Sequence, residues 1–144
     1  MLDRKDRIIT VAQLLEDFTA WIKTLPDVQA SALVGSYARN TATRRSDVDL
    51  VILTTEVEKY FQSRQWTSIF GAVDKCNVEN WGKVEALRVF YKGNVEVEYN
   101  FSTPDWADAP VDEGTRRVVS DGMRILFDPQ GALKRLREMI AITK

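Results

Sequence analysis

Residues 33–53 read LVGSYARNTATRRSDVDLVIL, and the fold turns on how this stretch divides. The apolar run 30–34 ends at Gly35, which lets the backbone turn sharply off a strand. Ser36 is placed to cap a short helix begun by YARN, whose first amide N–H groups stay free to face a phosphate. Arg39, Arg44 and Arg45 lie between Ser36 and Asp47 with no acidic residue among them, a loop charge suited to a polyphosphate. Residues 47–54 (DVDLVILT) then resume as a nearly continuous apolar run, which predicts a central strand buried on both faces.

Asp47 and Asp49 stand two apart on that strand, so both side chains leave the same face. Adjacent carboxylates repel unless a cation sits between them, and oxygen donors without Cys or His select Mg²⁺ or Mn²⁺. Ten residues separate Gly35-Ser36 from Asp47-Val48-Asp49. Independent placement of these residue types yields such a joint pattern in roughly one of 500 chains of this composition. A two-metal site needs a third carboxylate from a neighbouring strand. The run NVEVEYNF offers Glu96 and Glu98 on one face, and alternation alone leaves both open.

Outward from this centre, apolar residues at three-and-four spacing predict a helix over 3–25 with one buried face. Residues 55–82 carry Tyr60, Phe61, Trp66 and Phe70 and read as one helix interrupted by glycine and asparagine. Strands 84–91 and 95–101 flank Lys92-Gly93-Asn94, a hairpin signal because Gly and Asn tolerate positive φ. A short helix over 112–121, a short strand over 124–127 and a closing helix over 131–142 complete the chain. This order is α+β, a mixed β-sheet with flanking helices.

The 144 residues suit a single domain spanning 1–144, with 44% hydrophobic and 28% charged side chains in the globular range. A net charge of −1 argues against gripping nucleic acid by overall charge. Histidine is absent and Cys76 is the single cysteine, which excludes His-based triads, HExxH zinc sites and clustered-Cys zinc sites. No apolar run approaches the roughly 20 residues that span a bilayer, so no membrane association and a cytoplasmic location are expected. Trp21, Trp66, Trp81 and Trp106 read as core, Cys76 as an inert thiol, and Glu85 and Arg88 as a pair across the hairpin.

Gly35-Ser36, Arg39, Ser46, Asp47-Val48-Asp49 and the hairpin carboxylate resemble the polymerase-beta-type nucleotidyltransferase superfamily. Its small bacterial members include the aminoglycoside and minimal nucleotidyltransferases. The resemblance covers residues 30–54 and 84–103, with weaker similarity over 115–128. It implies that Gly35, Ser36, Arg39 and Ser46 bind the triphosphate of ATP or another NTP. It also implies that Asp47, Asp49 and Glu98 are catalytic and hold two Mg²⁺ (or Mn²⁺) ions. Glu98 is preferred because Val97-Glu98-Tyr99 matches the family's apolar-acid-aromatic pattern, with Glu where Asp is commoner. The implied reaction transfers NMP, AMP from ATP, to an acceptor hydroxyl. The alternatives are an antitoxin-type nucleotidyltransferase acting on or binding a helical protein partner, and a nucleotide-binding module without turnover. An acceptor site formed with a second copy of the chain is the remaining expectation for partners.

Overall fold

The structure, a computed structural model, describes residues 7–142. Helix α1 (Val11–Ile22) starts where Thr10 accepts a hydrogen bond from the Gln13 amide, and it buries Leu14, Phe18 and Ile22. It is shorter than the sequence predicts. Residues 3–6 of the expected helix lie outside the described residues, and residues 7–10 are not helical because Thr10 caps the helix behind them. Ile8, expected inward, is 68% exposed, and Ile9 enters the core instead.

Strands β1 (Val28–Val34) and β2 (Val48–Thr54) are joined through the short helix α2 (Gly35–Ala38) and the basic loop. Helix α3 (Lys59–Gln62) follows, then strands β3 (Val73–Trp81), β4 (Val84–Tyr91) and β5 (Val95–Ser102). Helix α4 (Glu113–Asp121), strand β6 (Met123–Phe127) and helix α5 (Ala132–Ile142) close the described chain. The strands form one sheet in the order β3-β4-β5-β2-β1-β6, in which β2 pairs parallel with β5 and the other neighbours pair antiparallel. The mixed sheet with flanking helices agrees with the α+β expectation.

The single helix read over 55–82 is a correction. That segment instead holds α3, a 3-10 turn at Gln65–Ile69 and the whole of β3. Tyr60 and Phe61 sit in α3 and Trp66 in the 3-10 turn, and they pack inward, with Trp21 and Trp66 stacked at 5.2 Å and Trp66 edge-on to Tyr99 at 4.8 Å. Strand β3, VDKCNVENW, is rich in poor strand formers, and pairing with β4 overrides that local preference. Its charges suit an edge strand.

Two apolar layers flank the sheet. On one face α1 packs Phe18 and Ile22 against Leu50, Ile52, Tyr99 and Phe101. On the other, α4 and α5 cover Ala30, Ala32, Val51 and Leu53 with Val119, Leu133, Leu136 and Ile140. This second layer sits over β1 and β2. On the same face β5 carries Glu96, Glu98 and Asn100, β4 carries Arg88 and β3 carries Asn77 and Glu79, and the candidate site residues lie beside them.

Candidate functional site

The site begins at the turn between β1 and α2. Gly35 has φ +74°, and a Cβ there would lie 2.4 Å from Oδ2 of Asp49. Glycine lets this turn sit against the Asp49 carboxylate without displacing it. The spacing of Gly-Ser and Asp-x-Asp in the sequence therefore has a spatial counterpart. The capping role read for Ser36 does not hold, because α2 starts at Gly35 behind Val34 and carries no side-chain cap. Ser36 is half-buried, and its carbonyl accepts from the Thr41 amide. Ser46 closes the basic loop, its hydroxyl accepting from the Thr43 amide at 2.8 Å. Arg39 lines the cavity beside Asp49, while Arg44 and Arg45 are exposed in the loop.

Asp47 stands at the entrance to β2 and Asp49 within it. Asp49 pairs in register with Glu98 across the parallel β2 and β5 strands. Asp47, Asp49 and Glu98 each present a carboxylate oxygen within 4.8 Å of the other two. Glu96 is not in this group and bonds instead to Arg88.

Arg88 is the residue that the sequence reading undervalued. It faces Glu98 across the β4 and β5 pair, as the hairpin register requires. Its guanidinium donates to Asp47 at 2.8 Å and to Glu79 at 2.8 Å, and also to Glu96 and Glu98. The signal in the sequence was a basic residue on the polar face of an acidic hairpin. Its partners on β2 and β3 were invisible because pairing order is not written locally.

Negative charge exceeds what Arg88 neutralises. Burial first, then the charges of Asp47 and Glu98, push the Asp49 carboxyl up to about 7 despite Arg88. Burial also raises Glu98, with Arg88 opposing. Arg88 is shared among Asp47, Glu79, Glu96 and Glu98, and Asp49 lies beside them, so the cluster holds more acid than one guanidinium can neutralise. Convergent oxygen donors with uncompensated charge fit a hard divalent ion.

Beside the carboxylates opens a cavity of about 560 Å³, the size of a small-molecule site. Gly35, Arg39, Asp49 and Glu98 line it together with Trp81, Lys83 and Val118. Trp81 is 59% exposed, which corrects its reading as core, whereas Trp106 is buried as expected. Register places Trp81 opposite Val84 on β4, so it shares the face of Arg88 and Glu98.

The family model described as a nucleotidyltransferase domain matches residues 15–99, more than half of the chain and all of these carboxylates. The chain belongs to the nucleotidyltransferase domain family. Solved structures agree at the level of the fold. An aminoglycoside 6-adenyltransferase from Bacillus subtilis aligns with TM-score 0.56 and 13% identity over 69% of this chain. The chain spans 38% of that enzyme's length. A structure described as a toxin-antitoxin with AMP-PNP aligns with TM-score 0.50 and 13% identity, over 90% of this chain and 85% of that one. No curated protein matches the sequence. Among the described residues of this nucleotidyltransferase domain, no helix is long and apolar enough to cross a membrane.

Proposed function

We propose that this nucleotidyltransferase domain transfers NMP, AMP from ATP, to a hydroxyl on an acceptor, using Mg²⁺ or Mn²⁺. The convergence of Asp47, Asp49 and Glu98 beside Gly35 and Arg39 carries the reading. In it, the Gly35-Ser36 turn and Arg39 hold the β- and γ-phosphates, Arg39 through forked hydrogen bonds. Ser46 keeps the basic loop folded toward them. Asp47, Asp49 and Glu98 hold the metal ions, which when bound neutralise charge on the phosphates and acidify the acceptor hydroxyl.

The acceptor oxygen forms a bond to the α-phosphorus while the bond from phosphorus to the bridging oxygen breaks, releasing pyrophosphate. Glu98 takes the hydroxyl proton as the acceptor oxygen attacks. In-line displacement requires the acceptor to enter opposite the leaving pyrophosphate. With the tail at α2, that is the side of β5, β4 and β3. The exposed indole of Trp81 gives a flat apolar surface there for a ring of the bound nucleotide or acceptor.

Calorimetry of ATP with Mg²⁺ tests this reading on wild type and on the Asp47→Ala/Asp49→Ala double variant. Affinity in wild type alone supports the site, and equal binding by both sinks it. Binding without pyrophosphate release under any acceptor screen favours a module without turnover. The fold shared over 90% of this chain with a toxin-antitoxin structure supports a second reading. In that reading this chain's partner and acceptor is a helical protein. Transfer of label from [α-³²P]ATP to a co-purifying protein rather than to a small molecule decides for it.

A further inference from the structure

Arg88 joins two sets of carboxylates with different neighbours. Asp47 and Glu98 belong to the converging trio, whereas Glu79 and Glu96 lie outside it. The guanidinium is 20% exposed, and its fork has enough N–H donors to serve all four acids together. Three converging carboxylates repel one another, so an internal cation that bridges two of them, Asp47 and Glu98, lowers that repulsion before any ion arrives. The same contacts compete with that ion for the same oxygens. Withdrawal is inexpensive only if the guanidinium keeps other partners, since an unpaired, largely buried charge is strongly disfavoured. Glu79, held through Nε at 2.8 Å, and Glu96 are such partners.

We propose that Arg88 is a positioning residue that acts as a resident counter-cation: it holds Asp47 and Glu98 in place in the metal-free protein and withdraws onto Glu79 and Glu96 on metal binding. Arg88 thereby keeps affinity for the free divalent ion low, so that the site loads efficiently only when a nucleotide's phosphates add their own oxygens. The inference rests on the metal-dependent reading of the site given above.

The test measures Mn²⁺ alone, without nucleotide, by calorimetry and by the loss of the free-ion EPR signal. Arg88→Gln is expected to bind Mn²⁺ about tenfold more tightly than wild type. Glu79→Gln/Glu96→Gln is expected to bind it more weakly, and that loss should shrink when Arg88→Gln is also present, because it acts through Arg88. Thermal melts check folding, and Arg88→Lys, which keeps the charge without the fork, should also exceed wild type. Tighter binding by wild type than by Arg88→Gln and Arg88→Lys overturns the proposal, as does equal binding. An equal loss from the glutamate pair in both backgrounds also overturns it. Failure of every protein to bind either Mn²⁺ or ATP with Mn²⁺ overturns the metal-dependent reading itself and this inference with it.

Discussion

Asp49 and Glu98 stand directly opposite each other where β2 and β5 run parallel, so two acids distant in sequence share one small volume. The Asp49 carboxyl is raised from 3.8 to about 7, by burial and then by Asp47 and Glu98. A raised folded-state value means that the fold favours the protonated form. That stability is fully present below pH 3.8 and is lost as pH rises through 7. Metal-free wild type should therefore lose stability from pH 4 to 7, and Asp49→Asn should flatten the slope. At pH 8 Asp49→Asn is expected to melt roughly 3–6 °C above wild type without metal. The same variant should lose about 100-fold in Mn²⁺ affinity with ATP present. A destabilised Asp49→Asn protein at pH 8 would contradict the electrostatic account.

Gly35 carries a sharper steric prediction. A methyl group there meets Oδ2 of Asp49 at 2.4 Å, and φ is +74°. The left-handed backbone costs about 1–2 kcal/mol for alanine. The overlap falls on the mobile end of a carboxylate, so Asp49 gives way rather than the strand. Gly35→Ala is expected to fold with a modestly lower Tm and to lose nucleotide affinity by far more than its stability loss. Unchanged affinity in chemical titration with ATP and Mg²⁺ would show that the close approach is incidental.

The legible parts of this molecule were those coded locally. The hairpin at 92–94 was readable because its turn needs positive φ, and Gly93 and Asn94 adopt φ 93° and 65°. The closing helix was readable because Leu133, Leu136 and Ile140 recur on one face and are buried together. The acidic pair and its partner strand followed from alternation, and Glu98 rather than Glu96 joins Asp47 and Asp49 in space. Strand β3 was missed because its backbone partner supplies the order that Asp74, Asn77 and Asn80 withhold. Arg88 and Trp81 were undervalued for one reason: their significance depends on which strand lies beside which, and no local pattern states that.

Trp81 separates binding from stability. Its side chain is 59% exposed on the rim of the cavity, so Trp81→Ala should change Tm by no more than about 2 °C. Stacking on an aromatic side chain contributes roughly 1–3 kcal/mol per base, so nucleotide or acceptor affinity should fall about 5- to 150-fold. Trp81→Phe should recover most of it. Quenching of tryptophan fluorescence by ATP in wild type, absent in Trp81→Phe, assigns the ring to the nucleotide. Quenching only by the acceptor assigns it to the acceptor. Equal affinity of Trp81→Ala for both ligands would remove Trp81 from the site.

Asp27 provides the opposite case, a part-buried acid outside the cavity that ties elements of the fold together. Its side chain is 8% exposed and accepts hydrogen bonds from Thr54 at 2.6 Å, Tyr60 at 2.6 Å and Lys59 at 3.0 Å. These bonds fasten α3 to the far end of β2, where the chain leaves the sheet. Burial raises the Asp27 carboxyl, but the bonds from Thr54, Tyr60 and Lys59 outweigh it and hold the group below its usual 3.8. A depressed folded-state value gives stability that is present above 3.8 and is lost as pH falls through the folded value. Asp27→Asn keeps the shape but loses charge-assisted bonds, for an expected cost of about 1–3 kcal/mol at pH 7. The gap from wild type should narrow in melts recorded below pH 4. Because Asp27 lies outside the cavity, ATP affinity with Mg²⁺ should match wild type wherever the variant is folded. A loss of affinity at full folding would mean that α3 transmits to the carboxylates through β2.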